Sequence, residues 1–486
     1  MNKKKPNILL IVMDSARRDL FGCYNDSGYT PNIDKLSQDS VICKNFYSAG
    51  SQSALSHVAM FTGQHSARSG IVHNLSEISN EITSLTQKLK ENSYFNYGKC
   101  QGICPPVGYS DLFFFDELIY PRNTKNNNEK INYKKKIIDN LRKYPKTWTY
   151  IKKIFSLTFG NKILLKESAK HFNGENSLEY LFSKLSKHKH NCFAYSTIFH
   201  PHTPYCPPEW VLKKLFGVYN FDERAYSIQS DFHSWLNGDY EDDESVIGDL
   251  KKLYCAELFY GDYLIGNLIN KLKEAKIYDE TIIIVTSDHG EFFGEHGQIN
   301  HGSTVYNEVI KTPLIIKFPK NSNKIEVVNK LTSHYDIMPT LLNYLDINID
   351  DIVIDGEDIF KENKNRHLVI DAPPLVLPGR LSHYPKVVKD QSLFWRSIIN
   401  NDYKYLWRSD NTEFLYKRDK FENIKNDLKK TKPDLTKQFH NKMFNYYKSL
   451  NINFKLDEYP INIGTTAAKF ITSPRIIREL KKEGYL

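Results

Sequence analysis

The amino-acid sequence predicts an α/β protein: a mostly parallel central sheet with helices on both faces, followed by a small C-terminal antiparallel sheet with a helix. Three observations carry this. Unbroken apolar runs with polar ends recur along the first part of the chain, the pattern of strands buried on both sides. Stretches of helical periodicity separate them. Beyond about residue 375 the pattern changes to short strand-like runs divided by Asn and Asp turns.

The elements follow in chain order. Residues 7–13 form a continuous apolar run closed by Asp14. A carboxylate at the carboxyl end of a buried strand is where open α/β sheets place their sites. The Asn- and Lys-rich stretch 121–167 carries Trp148, Ile151, Ile154, Phe155 and Leu157. It reads as an insertion outside the sheet: a helical lid, a surface helix packed by its apolar side, or a basic face for anionic lipid. Residues 192–199 form a second buried strand running into His200-Pro-His-Thr-Pro-Tyr205. Residues 252–275 have helical spacing through Leu253, Ala256, Leu258, Leu264, Leu268 and Leu272. The strand 281–286 then closes on Asp288-His-Gly-Glu291, and 314–319 is a fourth strand. Three strands thus end in polar turns bearing His or Asp, which predicts that the turns converge on one side of the sheet. Residues 392–399, 403–408 and 413–417 read as antiparallel strands, with a polar helix from about 434 to 450. The expected organisation is a domain over 1–375, with the basic insertion at about 121–167, and a small α+β subdomain over 376–486.

Composition bounds the function. The chain is 40% hydrophobic and 25% charged, which excludes a disordered or fibrous protein. Lys plus Arg total 66 against 57 for Asp plus Glu, a net of +9. A solvated basic surface accounts for that excess, which allows an anionic substrate or membrane-surface contact without demanding either, and no nucleic-acid partner is expected. The cysteines Cys23, Cys43, Cys100, Cys104, Cys192, Cys206 and Cys255 are odd in number with no CxxC pair, which argues against a disulfide framework and a structural zinc. The apolar run after Met1-Asn-Lys-Lys-Lys-Pro6 is too short for a secretory signal, and no run approaches the roughly 18 residues of a membrane span, so the chain is read as cytoplasmic.

Asp14, Asp288 and His289 are the centre of the chemistry. Two carboxylates and an imidazole at strand ends can hold one divalent cation; carboxylates suit hard ions, and the imidazole admits zinc or manganese. An Asp after a strand is more often a helix cap. The string Ser287-Asp-His-Gly-Glu-Phe-Phe-Gly-Glu-His-Gly297 is harder to explain structurally, and its glycines let the backbone approach a ligand. The nucleophile is sought in Gly50-Ser-Gln-Ser-Ala-Leu-Ser-His-Val-Ala-Met-Phe-Thr-Gly63, a loop that opens into a helix over 56–62. A serine there is a plain cap unless a metal is near. A metal-bound hydroxyl ionises readily and attacks, and the helix start helps to bind an anion. His200 and His202, held between prolines, suit proton transfer or hydrogen bonds to ester oxygens, with His296, His301 and Lys99 as further donors.

These segments resemble the sulfatase family in order and from end to end. Residues 7–24 resemble its opening strand and first metal aspartate, and Thr30-Pro-Asn-Ile-Asp-Lys-Leu36 its TPNLDxL segment. Residues 53–63 resemble its nucleophile helix, and Pro201-His-Thr-Pro-Tyr205 its PHxPY segment. Asp288 to Gly297 with Tyr306-Asn-Glu-Val-Ile-Lys-Thr-Pro-Leu-Ile315 is similar to DHGExxGEHG…YEExxRVPLI; Ser333 to Leu342 and Asp355-Gly356 follow suit. The resemblance implies an alkaline-phosphatase-like fold and hydrolysis of sulfate or phosphate esters. It implies Asp14, Asp288, His289 and Ser53 around one divalent ion, Ca2+ by family habit with Mn2+ or Zn2+ as alternatives. It makes Ser53 the nucleophile, His202 and His301 contacts of the ester group, and Lys99 the match of a GKWH lysine; Arg17 falls in a DxxR pattern. The substrate implied is an anionic ester, such as a sulfated or phosphorylated glycan or lipid. Three positions depart from the pattern. Leu55 and His57 stand where sulfatases converted to formylglycine have Pro and Arg, and Ser15 stands where many have a second metal Asp. An unmodified Ser53 is therefore expected, as in the phosphoethanolamine and phosphoglycerol transferases and related phosphodiesterases.

Overall fold

Every residue of β1 (Asn7–Met13) is buried, because the strand runs through the middle of a sheet with helices on both sides. The computed structural model describes residues 5–71, 82–101, 113–119, 174–230, 243–322, 324–374 and 393–450. The expected insertion at 121–167 lies outside them. The central sheet also contains β2 (Val41–Tyr47), β3 (Phe95–Lys99), β4 (Glu117–Ile119), β5 (Cys192–Ile198), β6 (Thr281–Ser287), β9 (Leu314–Lys317) and β10 (Val327–Ser333), in the order β10-β2-β9-β6-β1-β5-β3-β4, while β7 (Phe292–Phe293) and β8 (Ile299–Asn300) pair in a ribbon of their own. β1 pairs in parallel with β5 and β6. β9 alone in the central sheet runs antiparallel, against β6 and β2, so the predicted mostly parallel sheet is the observed one.

Side-chain alternation along β1 builds two cores. Leu9, Ile11 and Met13 pack with Leu253, Leu258, Leu264 and Leu268 of a 31-residue helix, Glu244–Glu274, and with Leu178 and Leu181 of the helix Gly174–His188. Ile8, Leu10 and Val12 face the other way, onto Ala54, Leu55, Val58 and Phe61 of the helix Ser53–Thr62 and Leu341 of Ile337–Tyr344. Buried aliphatic side chains each contribute about 1.5–3 kcal/mol, so both helix layers are driven onto the sheet by the strand's own residues. The long helix begins eight residues earlier than periodicity predicted, where the Asp243 side chain accepts from the Ser245 and Val246 N–H groups as a cap. Among the described residues no helix is long and apolar enough to cross a membrane.

The small sheet is antiparallel: β11 (Leu368–Ala372), β12 (Trp395–Ile399), β13 (Tyr403–Arg408) and β14 (Glu413–Lys417). Its first strand comes from before residue 375. One face packs on Phe439, Met443 and Tyr447 of the helix Pro433–Ser449, the other on Tyr47, Ala59, Val305 and Val309 of the main body. Asp371 ties the parts together. Its backbone bridges to Gly50, three residues before Ser53, and its carboxylate accepts from Ser66 Oγ at 2.8 Å and Tyr447 Oη at 2.5 Å.

Asp262 shows how distant elements are fixed. It is fully buried on the long helix and accepts from Asn32 N (3.1 Å), Ile33 N (2.8 Å) and Asn32 Nδ2 (2.8 Å), thereby capping the helix Pro31–Ser37. Asp262→Ala leaves those donors unpaired. We expect a loss of about 2–4 kcal/mol in stability, read by urea unfolding of the purified protein. An unchanged midpoint would show that the cap contributes nothing.

Candidate active site

In the parallel register Met13 stands opposite both Ile198 and Ser287, so the chain leaves β1, β5 and β6 at the same edge. The predicted convergence of the three turns follows from that pairing. Asp14, Asp288 and His289 each place a ligand atom within 4.8 Å of the others, and all three are buried. His289 Nδ1 donates to the Gly290 carbonyl at 3.1 Å. That bond sets the tautomer and leaves Nε2 as an acceptor, 3.5 Å from Asp288 Oδ2 and 3.9 Å from Asp14 Oδ1.

The first turn supports this cluster. Ser15, at φ 63°, donates its N–H to Asp288 Oδ1 (3.1 Å) and its hydroxyl to Asp14 Oδ1 (3.1 Å). The residue that replaces a second metal Asp therefore orients both carboxylates. Gly290 donates its N–H to the Val309 carbonyl at 2.7 Å, and a Cβ there would stand 2.1 Å from the Glu308 carbonyl oxygen. Only glycine fits so close an approach.

Ser53 is the first residue of its helix, which starts three residues earlier than the sequence predicts, after extended Gln52. Its hydroxyl lies 3.2 Å from His289 Nε2. Ser56 Oγ donates to the Asp288 carbonyl at 2.6 Å, which locks the helix to the Asp288 turn. The structure thus brings together all four residues expected around the ion.

The electrostatics fit a cation. Asp288 Oδ2 is buried and has no hydrogen-bond partner among the described residues, a costly state for a carboxylate oxygen unless a cation meets it. Burial, and then the Asp288 charge, push the Asp14 carboxyl well above its usual range. Burial would also raise Asp288, but His289, His57 and the N–H of Ser15 outweigh it and hold that carboxyl well below the usual range. Burial lowers His289, favouring the neutral imidazole that binds metals. Two carboxylates, one imidazole and one hydroxyl fit a divalent ion.

His301 and His202 stand at the same centre. The His301 ring is 4.1 Å from that of His289 and 5.2 Å from that of His202. Burial, with His202 beside it, pushes the His301 imidazole down to about 3. Its Nδ1 bonds Glu291 Oε1 at 3.1 Å, while Tyr205 Oη donates to Glu291 Oε2 at 2.9 Å. Burial raises the Glu291 carboxyl to about 7.

Four further residues named from the sequence have partners of their own in the structure. Lys99 Nζ donates to the Asn176 carbonyl at 3.1 Å and lies over the Tyr180 ring, because the helix Gly174–His188 packs against β3. His200 Nδ1 bonds Glu257 Oε2 on the long helix at 2.5 Å. His296 is sandwiched between Tyr306 and Phe421 and bonds Glu308. The Arg17 guanidinium is taken by Asp19, Glu295 and the Glu291 carbonyl. The sequence reading missed Glu291, Ser15, Ser56 and Tyr205 as parts of the site. Glu291 and Tyr205 lie within motifs already quoted, whereas a serine beside a metal aspartate carries no signal of its own.

A nucleophile-type hydroxyl at a helix start, beside carboxylates and imidazoles at the edge of an α/β sheet, is the apparatus of an ester hydrolase. Residues 6–347 match the family model described as Sulfatase, and the chain belongs to the sulfatase family. It is 24% identical to the uncharacterized sulfatase YidJ of Escherichia coli (strain K12) over 390 residues, covering 76% of this chain and 73% of that one. It is 22% identical to an arylsulfatase of Clostridium perfringens over 428 residues, covering 75% and 84%. Among solved structures, the phosphonate monoester hydrolase of Agrobacterium radiobacter superposes with a TM-score of 0.64 at 16% identity, covering 92% of this chain and 96% of that one. The fold is accordingly alkaline-phosphatase-like.

Asp288→Asn and His289→Ala each remove a metal donor while leaving the sheet intact. We expect each purified variant to lose the bound divalent ion by elemental analysis, with a circular dichroism spectrum like that of the wild type. Normal metal content in either would refute the ligand assignment.

Proposed function

We propose that this protein cleaves a sulfate or phosphate ester by attack of an unmodified Ser53 hydroxyl, and that it turns over phosphodiesters faster than sulfate esters. The observation that carries this is the Ser53 hydroxyl itself, 3.2 Å from His289 Nε2 at the start of a ten-residue helix. A divalent ion held by Asp14, Asp288 and His289 supplies Lewis-acid stabilisation of the serine oxygen and of the charge on the ester group. Ca2+, Mn2+ and Zn2+ all accept this donor set. Ser53 Oγ forms a bond to sulfur or phosphorus as the bond to the ester oxygen breaks, and the departing oxygen takes up a proton. Water then attacks the same atom and frees Ser53. An alcohol in place of water gives group transfer to a glycan or lipid.

The preference for phosphorus follows from the nucleophile. A formylglycine hydrate has a second hydroxyl that lets covalent sulfate leave by elimination; serine has none. Its covalent ester must be broken by attack at sulfur or phosphorus, and attack at phosphorus is within reach of metal-assisted serine chemistry. Leu55 and His57, the residues that depart from the converted pattern, are fully buried in the helix. The relatives support both ester classes: one is named a choline-sulfatase, of Rhizobium meliloti, and a structural neighbour is a phosphonate monoester hydrolase.

The test is peptide mass spectrometry of residue 53 with assays on an aryl sulfate and an aryl phosphodiester, in the presence of each ion and with or without an acceptor alcohol. We expect an unmodified serine, faster phosphodiester turnover, and a loss of about a thousandfold or more in Ser53→Ala with the metal retained. A residue about 2 Da lighter than serine, together with fast aryl sulfate hydrolysis, would restore the formylglycine mechanism.

A further inference from the structure

Four side chains outside the metal cluster come together from four segments of the chain. Arg18 lies on the turn after β1, Tyr47 ends β2, Lys311 pairs with Tyr47 in an isolated bridge ahead of β9, and Arg418 follows β14. Lys311 Nζ stands 5.7 Å from the centre of the Tyr47 ring. Burial raises the Tyr47 phenol, and the Arg418 and Arg18 charges beside it pull the other way. Tyr47 is fully buried. Its Oη, Arg18 Nε, and Nε and Nη1 of Arg418 are buried with no hydrogen-bond partner among the described residues. Each such donor costs about 1–3 kcal/mol if nothing meets it. The one carboxylate that these cations bond, among the described residues, is Asp419: it accepts from Lys311 Nζ at 3.2 Å and from Arg418 Nη2 at 3.0 Å. Asp419 is 62% exposed, whereas the Lys311 and Arg418 side chains behind it are 14% and 13% exposed. Arg18 Nη1 donates to the Lys44 carbonyl, and the nearby Glu422 is held by Lys404 Nζ at 2.5 Å. Positive charge is therefore in excess here.

We propose that Arg18, Tyr47, Lys311 and Arg418 form a second anion site, which takes a sulfate or phosphate group, with Asp419 as the side chain that the anion displaces. A tetrahedral anion offers several oxygens at once, enough for the Tyr47 hydroxyl and both guanidinium groups, and guanidinium pairs with such oxyanions through parallel N–H bonds. Asp419 reaches only Lys311 and one nitrogen of Arg418. Water fills hydrogen bonds but leaves the buried charge uncompensated. Three cationic side chains exclude a metal ion. The group arrives as the free ion or on the end of a larger molecule. Among the described residues none of the four side chains hydrogen-bonds Asp14, Asp288 or His289. The site therefore stands apart from the metal cluster and does not depend on the ester-cleavage reading above.

The test is calorimetric titration of inorganic sulfate, inorganic phosphate and methylphosphonate into the metal-loaded protein at low ionic strength. Methylphosphonate carries the same kind of group on a carbon stem. We expect a binding event that weakens about tenfold or more in Arg418→Gln and in Arg18→Gln, each of which removes charge-assisted bonds. It should persist in Asp288→Asn, where the metal centre has lost a donor. Tyr47→Phe keeps the ring and should weaken binding about threefold, which decides the matter if an arginine variant fails to fold. Asp419→Ala should strengthen binding about three- to fivefold, a gain that cations serving only to hold the fold would not give. Binding of the inorganic ions alone identifies the free ion as the ligand; binding of methylphosphonate as well identifies a group borne on a larger molecule. Binding that is unaltered by all four of these substitutions, or lost in Asp288→Asn alone, belongs to the metal centre and overturns the proposal. So does the absence of binding by all three probes at millimolar concentration.

Discussion

Asp14 and Asp288 are two carboxylates held side by side in a buried place, and the rest of the site answers to that constraint. Such a pair repels itself and loses hydration, so it is unfavourable unless a cation or donors compensate. Asp14 and Asp288 receive the Ser15 and His289 backbone and hydroxyl donors that the strand-end turns can offer. One oxygen of Asp288 still has no hydrogen-bond partner among the described residues. The Arg17 guanidinium is committed to other carboxylates and to the Glu291 carbonyl. The sheet register, the glycine after His289 and the helix starting at Ser53 all bring donors to this point.

The imidazoles of the molecule show how burial and one hydrogen bond divide a residue type among tasks. His289 spends Nδ1 on a carbonyl and keeps Nε2 for the cluster. His334 accepts the Ala49 N–H at Nδ1 and donates from Nε2 to the Ser287 carbonyl, so both nitrogens hold backbone below the site. His57 spends Nδ1 on the carbonyl of Ser53. Burial keeps all three from charging readily. That suits a centre whose positive charge is to come from an ion.

Much of this was legible in the sequence where local pattern and global fold agree. The strands β1, β5 and β6 are unbroken apolar runs because they are covered on both faces, and their ends named Asp14, Asp288, His289 and His202 directly. What was not legible depends on which distant surface a side chain meets. Lys99 ends a strand beside the others, yet a helix from residues 174–188 captures it. His200 and His202 are two residues apart, and Glu257 on the long helix claims only the first. The reversed direction of β9 is likewise invisible in a four-residue run that reads like its neighbours.

The brace at Asp371 has a consequence for how the molecule comes into being. The loop before Ser53 leans on β11 through the Gly50 bridge, and β11 is covered by a helix that ends near residue 449. A chain emerging from the ribosome makes the clustered aspartates and the serine helix before these contacts exist. The loop before Ser53 is therefore braced from this side only after Tyr447 has been made and can reach Asp371. A partly made chain carries the chemistry in its sequence but not yet the rigidity to perform it.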